Sequence, residues 1–167
     1  MLIVMGGLPG TGKTTLARLL AARVGAVHLR VDTIEQAIVR SGVARHAVGP
    51  VGYVVGYALA GEHLRQGLTV ITESVNPLSV TRDAWRDTAA GTGARVVEVE
   101  VVCSDPAEHR RRVTSRSAGI PGLPLPAWQQ VVDREYEPWD RERVVVDTAG
   151  RSPQQSLAVL LRGLASG

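Results

Sequence analysis

The stretch GLPGTGKTT, Gly7 to Thr15, follows the apolar run Leu2–Met5 and leads into KTTLARLLAARV, Lys13 to Val24, whose apolar residues recur at helical spacing. The pattern Gly7-x-x-x-x-Gly12-Lys13-Thr14 is that of a phosphate-binding loop, the Walker A motif. Glycines let successive backbone N–H groups turn inward as an anion nest. The helix behind them presents its positive end, an ammonium reaches the β and γ phosphates, and a hydroxyl stands where it can hold Mg²⁺. Pro9 has no N–H to give, so the donors must come mostly from Gly10 to Thr15. The candidate nucleotide-binding residues are therefore Gly7, Leu8, Pro9, Gly10, Thr11, Gly12, Lys13, Thr14 and Thr15. Lys13 is the only lysine among 19 basic residues, and it falls where a compact ammonium fits and a planar guanidinium would fit badly.

Working outward from the loop, strands alternate with helices. Leu2–Met5 reads as a buried strand, Lys13–Val24 as a helix stopped by Gly25, and Ala26–Leu29 as a short second strand. The helix TIEQAIVR ends near Ser41–Gly42, and a longer one runs from about Val51 to Gln66. The apolar strand LTVIT then meets Glu73 at its carboxyl end. Ser79–Ala90 is helical, ARVVEVEVVC is a β-branched strand, and Asp105–Pro106 supplies a cap and a first-position proline for AEHRRRVTSR. SAGIPGLPLP, rich in Pro and Gly, reads as a mobile loop, followed by a helical stretch from Ala127 toward Tyr136. VVVDT is the last strand and SPQQSLAVLLRGL the closing helix. Nearly all-apolar strands separated by helices predict an α/β fold, a parallel sheet covered by helices on both faces in three α/β/α layers.

At 167 residues, 44% apolar and 21% charged, the chain predicts a single domain over 1–167, with the segment 117–138 as a lid inside it. The longest apolar runs are strand-sized and the one cysteine, Cys103, cannot form an internal disulfide, which predicts a cytoplasmic protein with no membrane partner. The net charge of +3 is spread along the chain apart from Arg110–Arg112, and phenylalanine is absent, so no cationic track with stacking platforms for a polynucleotide is expected.

Three further groups carry chemistry. Glu73 stands directly after a buried strand, where phosphate-loop proteins place the second anchor of the metal; Asp147 and Asp32 compete for that role on pattern alone. Asp32, just beyond the second strand, fits two roles, a base for an attacking hydroxyl or the cap of its helix. Arg112 and Arg116, four apart in a helix, would share one face beside the loop and flank an anion such as a triphosphate losing its terminal group. Tyr53, Tyr57 and Asn76 fit either the wall of a small acceptor pocket or the core. His28, His46, His63 and His109 lack metal-ligand spacing and, with Cys103, read as structural.

With these residues together, the chain resembles the small P-loop kinases related to chloramphenicol phosphotransferase, within the wider AAA_33, zeta-toxin and polynucleotide-kinase-like group. VDTIEQA, Val31–Ala37, is similar to the stretch whose aspartate acts as the base for the acceptor hydroxyl, which Asp32 matches. LTVITE is similar to the strand ending in an acidic metal anchor, matched by Glu73 where Asp is commoner. CSDPAEHRRRVTSR resembles the strand and lid helix, placing Arg112 and Arg116 on the paired lid arginines, whereas IPGLPLPAWQQ and YEPW match nothing in chloramphenicol phosphotransferase. The resemblance implies a P-loop NTPase fold with a five-stranded parallel sheet of nucleotide-kinase type and a mobile lid. It also implies ATP and Mg²⁺ as cofactors, Thr14 and Glu73 at the metal, and Lys13, Asp32, Arg112 and Arg116 as catalytic residues. The expected activity is transfer of the γ-phosphoryl group to a hydroxyl of a small molecule, such as an antibiotic or another metabolite. The alternatives are a polynucleotide or nucleotide kinase and an ATP-binding or ATPase module without an acceptor. A GTPase switch is excluded, because its base-reading Asn-Lys-x-Asp needs a second lysine.

Overall fold

Leu2–Gly6 forms β1 because its apolar side chains alternate between two faces that are both covered: Leu2, Val4, Ile3 and Met5 are all fully buried. The computed structural model describes residues 1–44, 48–117 and 119–166. Around β1 assemble β2 (Val27–Arg30), β3 (Val70–Glu73), β4 (Val96–Val102) and β5 (Val144–Asp147), all parallel, in the order β2-β3-β1-β4-β5. The registers bring Met5, Glu73 and Arg30 level at the carboxyl end of the sheet. That end is where an open parallel sheet binds its ligand.

Helices α1 (Lys13–Val24) and α7 (Pro153–Ser166) cover one face, with Leu16, Leu20 and Leu160 on Ile3, Met5, Ile71, Val99 and Val101. Helices α2 (Val31–Arg40), α3 (Val51–Arg65) and α4 (Ser79–Ala90) cover the other, where Leu2, Val4, Val70, Ala60, Leu64 and Trp85 form the second core. Each of these fully buried large side chains contributes roughly 1.5–3 kcal/mol by leaving water. The five-stranded, three-layer expectation holds. Helix α5 (Pro106–Ser115) begins as read, with the Asp105 side chain accepting from the N–H groups of Ala107 and Glu108.

Several boundaries differ. The second strand starts one residue later than read and runs to Arg30, so α2 begins at Val31. Helix α5 stops at Ser115 and leaves Arg116 extended at its C-cap (φ −75°, ψ 153°). The stretch from Ala127 yields only a short helix, α6 (Trp128–Val132), because its one strong apolar anchor is Val131, which is 1% exposed. Trp139 packs against Gly6 and its indole N–H donates to the Tyr136 hydroxyl at 2.9 Å. Among the described residues no helix is long and apolar enough to cross a membrane.

Candidate active site

The loop between β1 and α1 is fixed from beneath. Gly7 adopts φ +137° and its N–H donates to the Val75 carbonyl at 3.0 Å; a Cβ there would collide with the carbonyl oxygen of Val101. The Leu8 carbonyl accepts from the Thr11 hydroxyl at 2.9 Å and from the Lys13 ammonium at 3.0 Å. His109 donates its Nε2–H to the Pro9 carbonyl at 2.8 Å and stands edge-on to Trp128 of α6. Helix α1 opens at Gly12 with no side-chain cap, and the N–H groups of Gly10, Gly12, Lys13, Thr14 and Thr15 have no backbone acceptor among the described residues. They point to an anion as their partner. Pro9, Gly10, Gly12, Lys13, Thr14 and Thr15 line a cavity of about 430 Å³, while Gly7, Leu8 and Thr11 shape the loop behind it.

Lys13 is 8% exposed, and burial lowers its ammonium from the ordinary lysine range to about 8, with Glu73 and Asp32 pulling in the opposite direction. A phosphate brought beside it restores the charge. Nucleotide binding above pH 8 should therefore take up a proton. ADP affinity should fall as pH rises from 7 toward 9.5, and calorimetry at about pH 9 in two buffers of different ionisation heat should register the uptake. Affinity that stays flat over that range would assign the proton elsewhere.

Glu73 is 3% exposed at the end of β3. It accepts from the Thr14 hydroxyl at 2.5 Å and from His28 Nε2–H at 3.1 Å, and the Arg30 guanidinium stands 3.8 Å away. Burial pushes its carboxyl up, but His28, Lys13, Thr14 and Arg30 outweigh that and hold it below the usual carboxylate range. A hydroxyl and an ionised carboxylate side by side are the hard oxygen donors that suit Mg²⁺, which takes most of its remaining ligands from water and phosphate. The donor set fits that ion at Thr14 and Glu73. Asp147 does not compete: its carboxylate accepts from Ser104 and from the Ala149 N–H at the far side of the sheet end.

Asp32 lies inside the first turn of α2 and makes no capping bond, because the N-cap is Arg30. The cap reading is thus replaced by a different contact: Asp32 Oδ2 accepts from Arg30 Nη2 at 3.1 Å. Arg30 spans the two acidic groups of the site, with Asp32 on one side and Glu73 on the other. Sequence reading missed Arg30 and His28. Part of the signal was available, since alternate residues of β2 share a face and so set His28 and Arg30 on the same side.

Arg112 and Arg116 both line the cavity, though not as two residues of one helix face. Arg112 donates to Glu108, to the Thr148 hydroxyl at 2.7 Å and to the Thr148 carbonyl at 3.0 Å. Arg116 carries a buried Nε without a hydrogen-bond partner among the described residues, and burial lowers its guanidinium from the ordinary arginine range while Asp32 raises it. Arg18, Arg134 and the segment Leu123–Pro126 complete the wall. His46 lies outside the described residues, and Cys103 is a half-buried thiol just past β4.

A second cavity of about 480 Å³ opens between α2, α3 and α4. Tyr53, Val54, Tyr57, Leu78, Val80 and Ala84 line it, and it shares Asp32, Glu35, Ser74, Val75 and Arg134 with the first. Tyr53 and Tyr57 line this cavity and also pack on the core around Trp85. Asn76 does not reach the cavity: it is fully buried at φ +49°, and its Oδ1 accepts from the Trp85 indole N–H at 3.1 Å.

No curated protein matches the sequence. Among solved structures the chain is similar to a protein of Chloroflexus aurantiacus, with 20% identity, 97% of each chain covered and a TM-score of 0.76. It is similar to a gluconokinase from Sinorhizobium meliloti, with 20% identity, 98% of this chain and 91% of that one covered and a TM-score of 0.68. It is also similar to Kti12 of Chaetomium thermophilum in complex with ADP-AlF3, with 22% identity, 98% of both chains covered and a TM-score of 0.70. These likenesses establish the fold, that of the P-loop kinases. A family model described as an AAA domain matches residues 2–136, so the Walker A loop, Asp32, Glu73 and both arginines of the α5 region fall within it, and the chain belongs to the AAA_33 family.

Proposed function

We propose that the protein is an ATP-dependent phosphotransferase that moves the γ-phosphoryl group of ATP to a hydroxyl of a small molecule. The observation that carries this reading is the meeting of two cavities at Asp32, one walled by the phosphate loop and arginines, the other mostly by apolar side chains. A module that only binds or hydrolyses nucleotide has no use for the second cavity. The triphosphate lies on Gly10–Thr15 with Lys13 and Arg116 on its terminal groups, and the small hollow beside Thr148, Arg151 and Pro153 receives the nucleoside end. Thr14 and Glu73 would hold Mg²⁺, which when bound would neutralise negative charge on the phosphates during transfer. The acceptor oxygen attacks the γ phosphorus as its proton passes to Asp32. The bond from phosphorus to the β-bridging oxygen breaks, and its electron pair leaves on ADP.

Asp32→Asn should leave ADP affinity within about twofold, because the carboxylate faces the acceptor, and lower transfer by about 10² or more. As Asp32 is not a cap, thermal stability should change little. Near-normal turnover in this variant would remove Asp32 from the chemistry. The activity is tested by incubating the protein with γ-labelled ATP and separate pools of small alcohols, nucleosides and 5′-hydroxyl oligonucleotides. Label in the alcohol pool is the expected result. Label only in the oligonucleotide pool would make the protein a polynucleotide kinase, and ATP consumption with no labelled acceptor would make it an ATPase.

A further inference from the structure

Glu35 lies one helical turn after Asp32 and lines both cavities, yet it has no hydrogen bond and no ion pair within contact distance among the described residues. Its stem is seated rather than sweeping through solvent. A side chain at position 52 of α3 would collide with Glu35 Cγ, so Gly52 provides the space it occupies. Burial, and after it the Asp32 charge, push its carboxyl above the usual range, while Arg134 acts in the opposite sense. An ionised carboxylate can only accept hydrogen bonds, and a half-buried one without a donor is costly to leave so.

Resting on the phosphotransferase reading, we propose that the second cavity takes an amino alcohol with an apolar, preferably aromatic, body, its hydroxyl at Asp32 and its ammonium at Glu35. Residues three apart on a helix stand about 5–6 Å from each other at Cβ, close enough for the two carboxylate arms to converge on a hydroxyl and an amine on neighbouring carbons. The apolar body lies along Tyr53, Val54, Tyr57, Leu78 and Val80. The groups facing Glu35 are Asp32 from its own helix, the Tyr53 phenol from α3 and Arg134 from the segment after α6. Arg134 also lines the nucleotide cavity, where the terminal phosphate offers it more negative charge than Glu35 does. With ATP in place, Glu35 is left for a cation from the acceptor. A polyhydroxylated acid suits this wall poorly: it would leave hydroxyls against apolar side chains and set its carboxylate near Asp32 and Glu35.

The test measures binding to the full-length protein saturated with a non-hydrolysable ATP analogue and Mg²⁺, by saturation-transfer NMR and equilibrium dialysis. The probes are 2-amino-1-phenylethanol, 1-phenylethane-1,2-diol, 1-phenylethanol and D-gluconate. The amino alcohol should bind about tenfold or more tighter than the diol, on the scale of a hydrogen bond to a charged group, and gluconate should bind worst. Glu35→Gln, nearly isosteric, should bring amino alcohol and diol within about twofold of each other. Gly52→Ala, which keeps the charge but displaces the side chain, should do the same. Retained preference in Glu35→Gln, a diol or gluconate that binds at least as well as the amine, or no saturable binding of any probe would overturn the proposal. Because binding is read without transfer, an amine preference in a protein that labels no alcohol would overturn the phosphotransferase reading and leave the assignment of Glu35 standing.

Discussion

Lys13→Ala should reduce phosphoryl transfer by 10³ or more, to background in an ordinary assay, while the protein remains folded. The ammonium is the one lysine of the chain, sits 8% exposed at the base of the cavity, and is held 3.0 Å from the Leu8 carbonyl. A fixed cation in such a site contributes several kcal/mol to a transition state that sheds charge onto ADP, and each 1.36 kcal/mol is about tenfold in rate. Its effect on folding has the opposite sign. Burial lowers Lys13 to about 8 against 10.5 for an ordinary lysine, so the folded state holds fewer protons than the unfolded state between those values and stability rises with pH through that window. Removing the ammonium should leave the melting temperature of the ligand-free protein unchanged or raised. Kinetics with labelled ATP and thermal melts without nucleotide check the two halves. Turnover within tenfold of the parent would end the kinase reading, and a collapse of the melt would show that Lys13 supports the fold. Lys13→Arg should rescue little, since the guanidinium plane does not fit the space beneath Leu8.

Arg82→Leu should lower stability by about 3–5 kcal/mol, since each buried carbonyl left without its donor costs roughly 1–3 kcal/mol. Arg82 on α4 is fully buried. Nη1 donates to the carbonyls of Asn76 and Glu137 at 3.3 and 3.2 Å, Nη2 donates to the Pro138 carbonyl at 3.1 Å, and the guanidinium lies 4.7 Å over the Trp139 ring. Glu137 reinforces the seam, its carboxylate accepting from the Ser79 N–H and its own N–H donating to the Pro77 carbonyl. Leucine fills the volume but leaves three interior carbonyls without donors. A fall of roughly 10 °C in melting temperature is expected for a chain of this length. Because the seam ties the segment after α6 to the loop behind Glu73, the molecules that stay folded should also transfer more slowly. A melting temperature within about 2 °C of the parent would show that water replaces the guanidinium at no cost.

Arg82 marks a limit of sequence reading. Its helix, Ser79–Ala90, is legible to the residue from apolar spacing and flanking turns, yet an arginine in a surface-like pattern reads as solvated. Its burial depends on carbonyls 55 and 56 residues further along the chain. For Arg30 and His28 the shared strand face was legible, but their meeting with Glu73 depends on the register of β2 against β3. Arg112 and Arg116 line one cavity but do not share a helical face, since helix spacing applies only while the helix lasts and α5 ends at Ser115. Asp32 shows the reverse case. Sequence left base and cap open, and a one-residue shift of the strand end moved the N-cap to Arg30 and left Asp32 with a charged partner instead.

By itself the sequence determined the phosphate loop, the strand–helix alternation, the parallel three-layer sheet and the buried acidic end of β3. Each of these is local: a spacing of glycines around one lysine, a period of apolar residues, a carboxylate next to an apolar strand, all acting over a few residues. Only the tertiary structure decided that Glu73 meets Thr14 across 59 residues and that a mostly apolar cavity opens on the far side of Asp32. It also decided that Glu35 lines both that cavity and the one beside the phosphate loop. These depend on strand order and register, which bring Met5, Arg30 and Glu73 to one level. Register is set by how whole strands bury their two faces against one another, a balance that no single stretch of the chain contains.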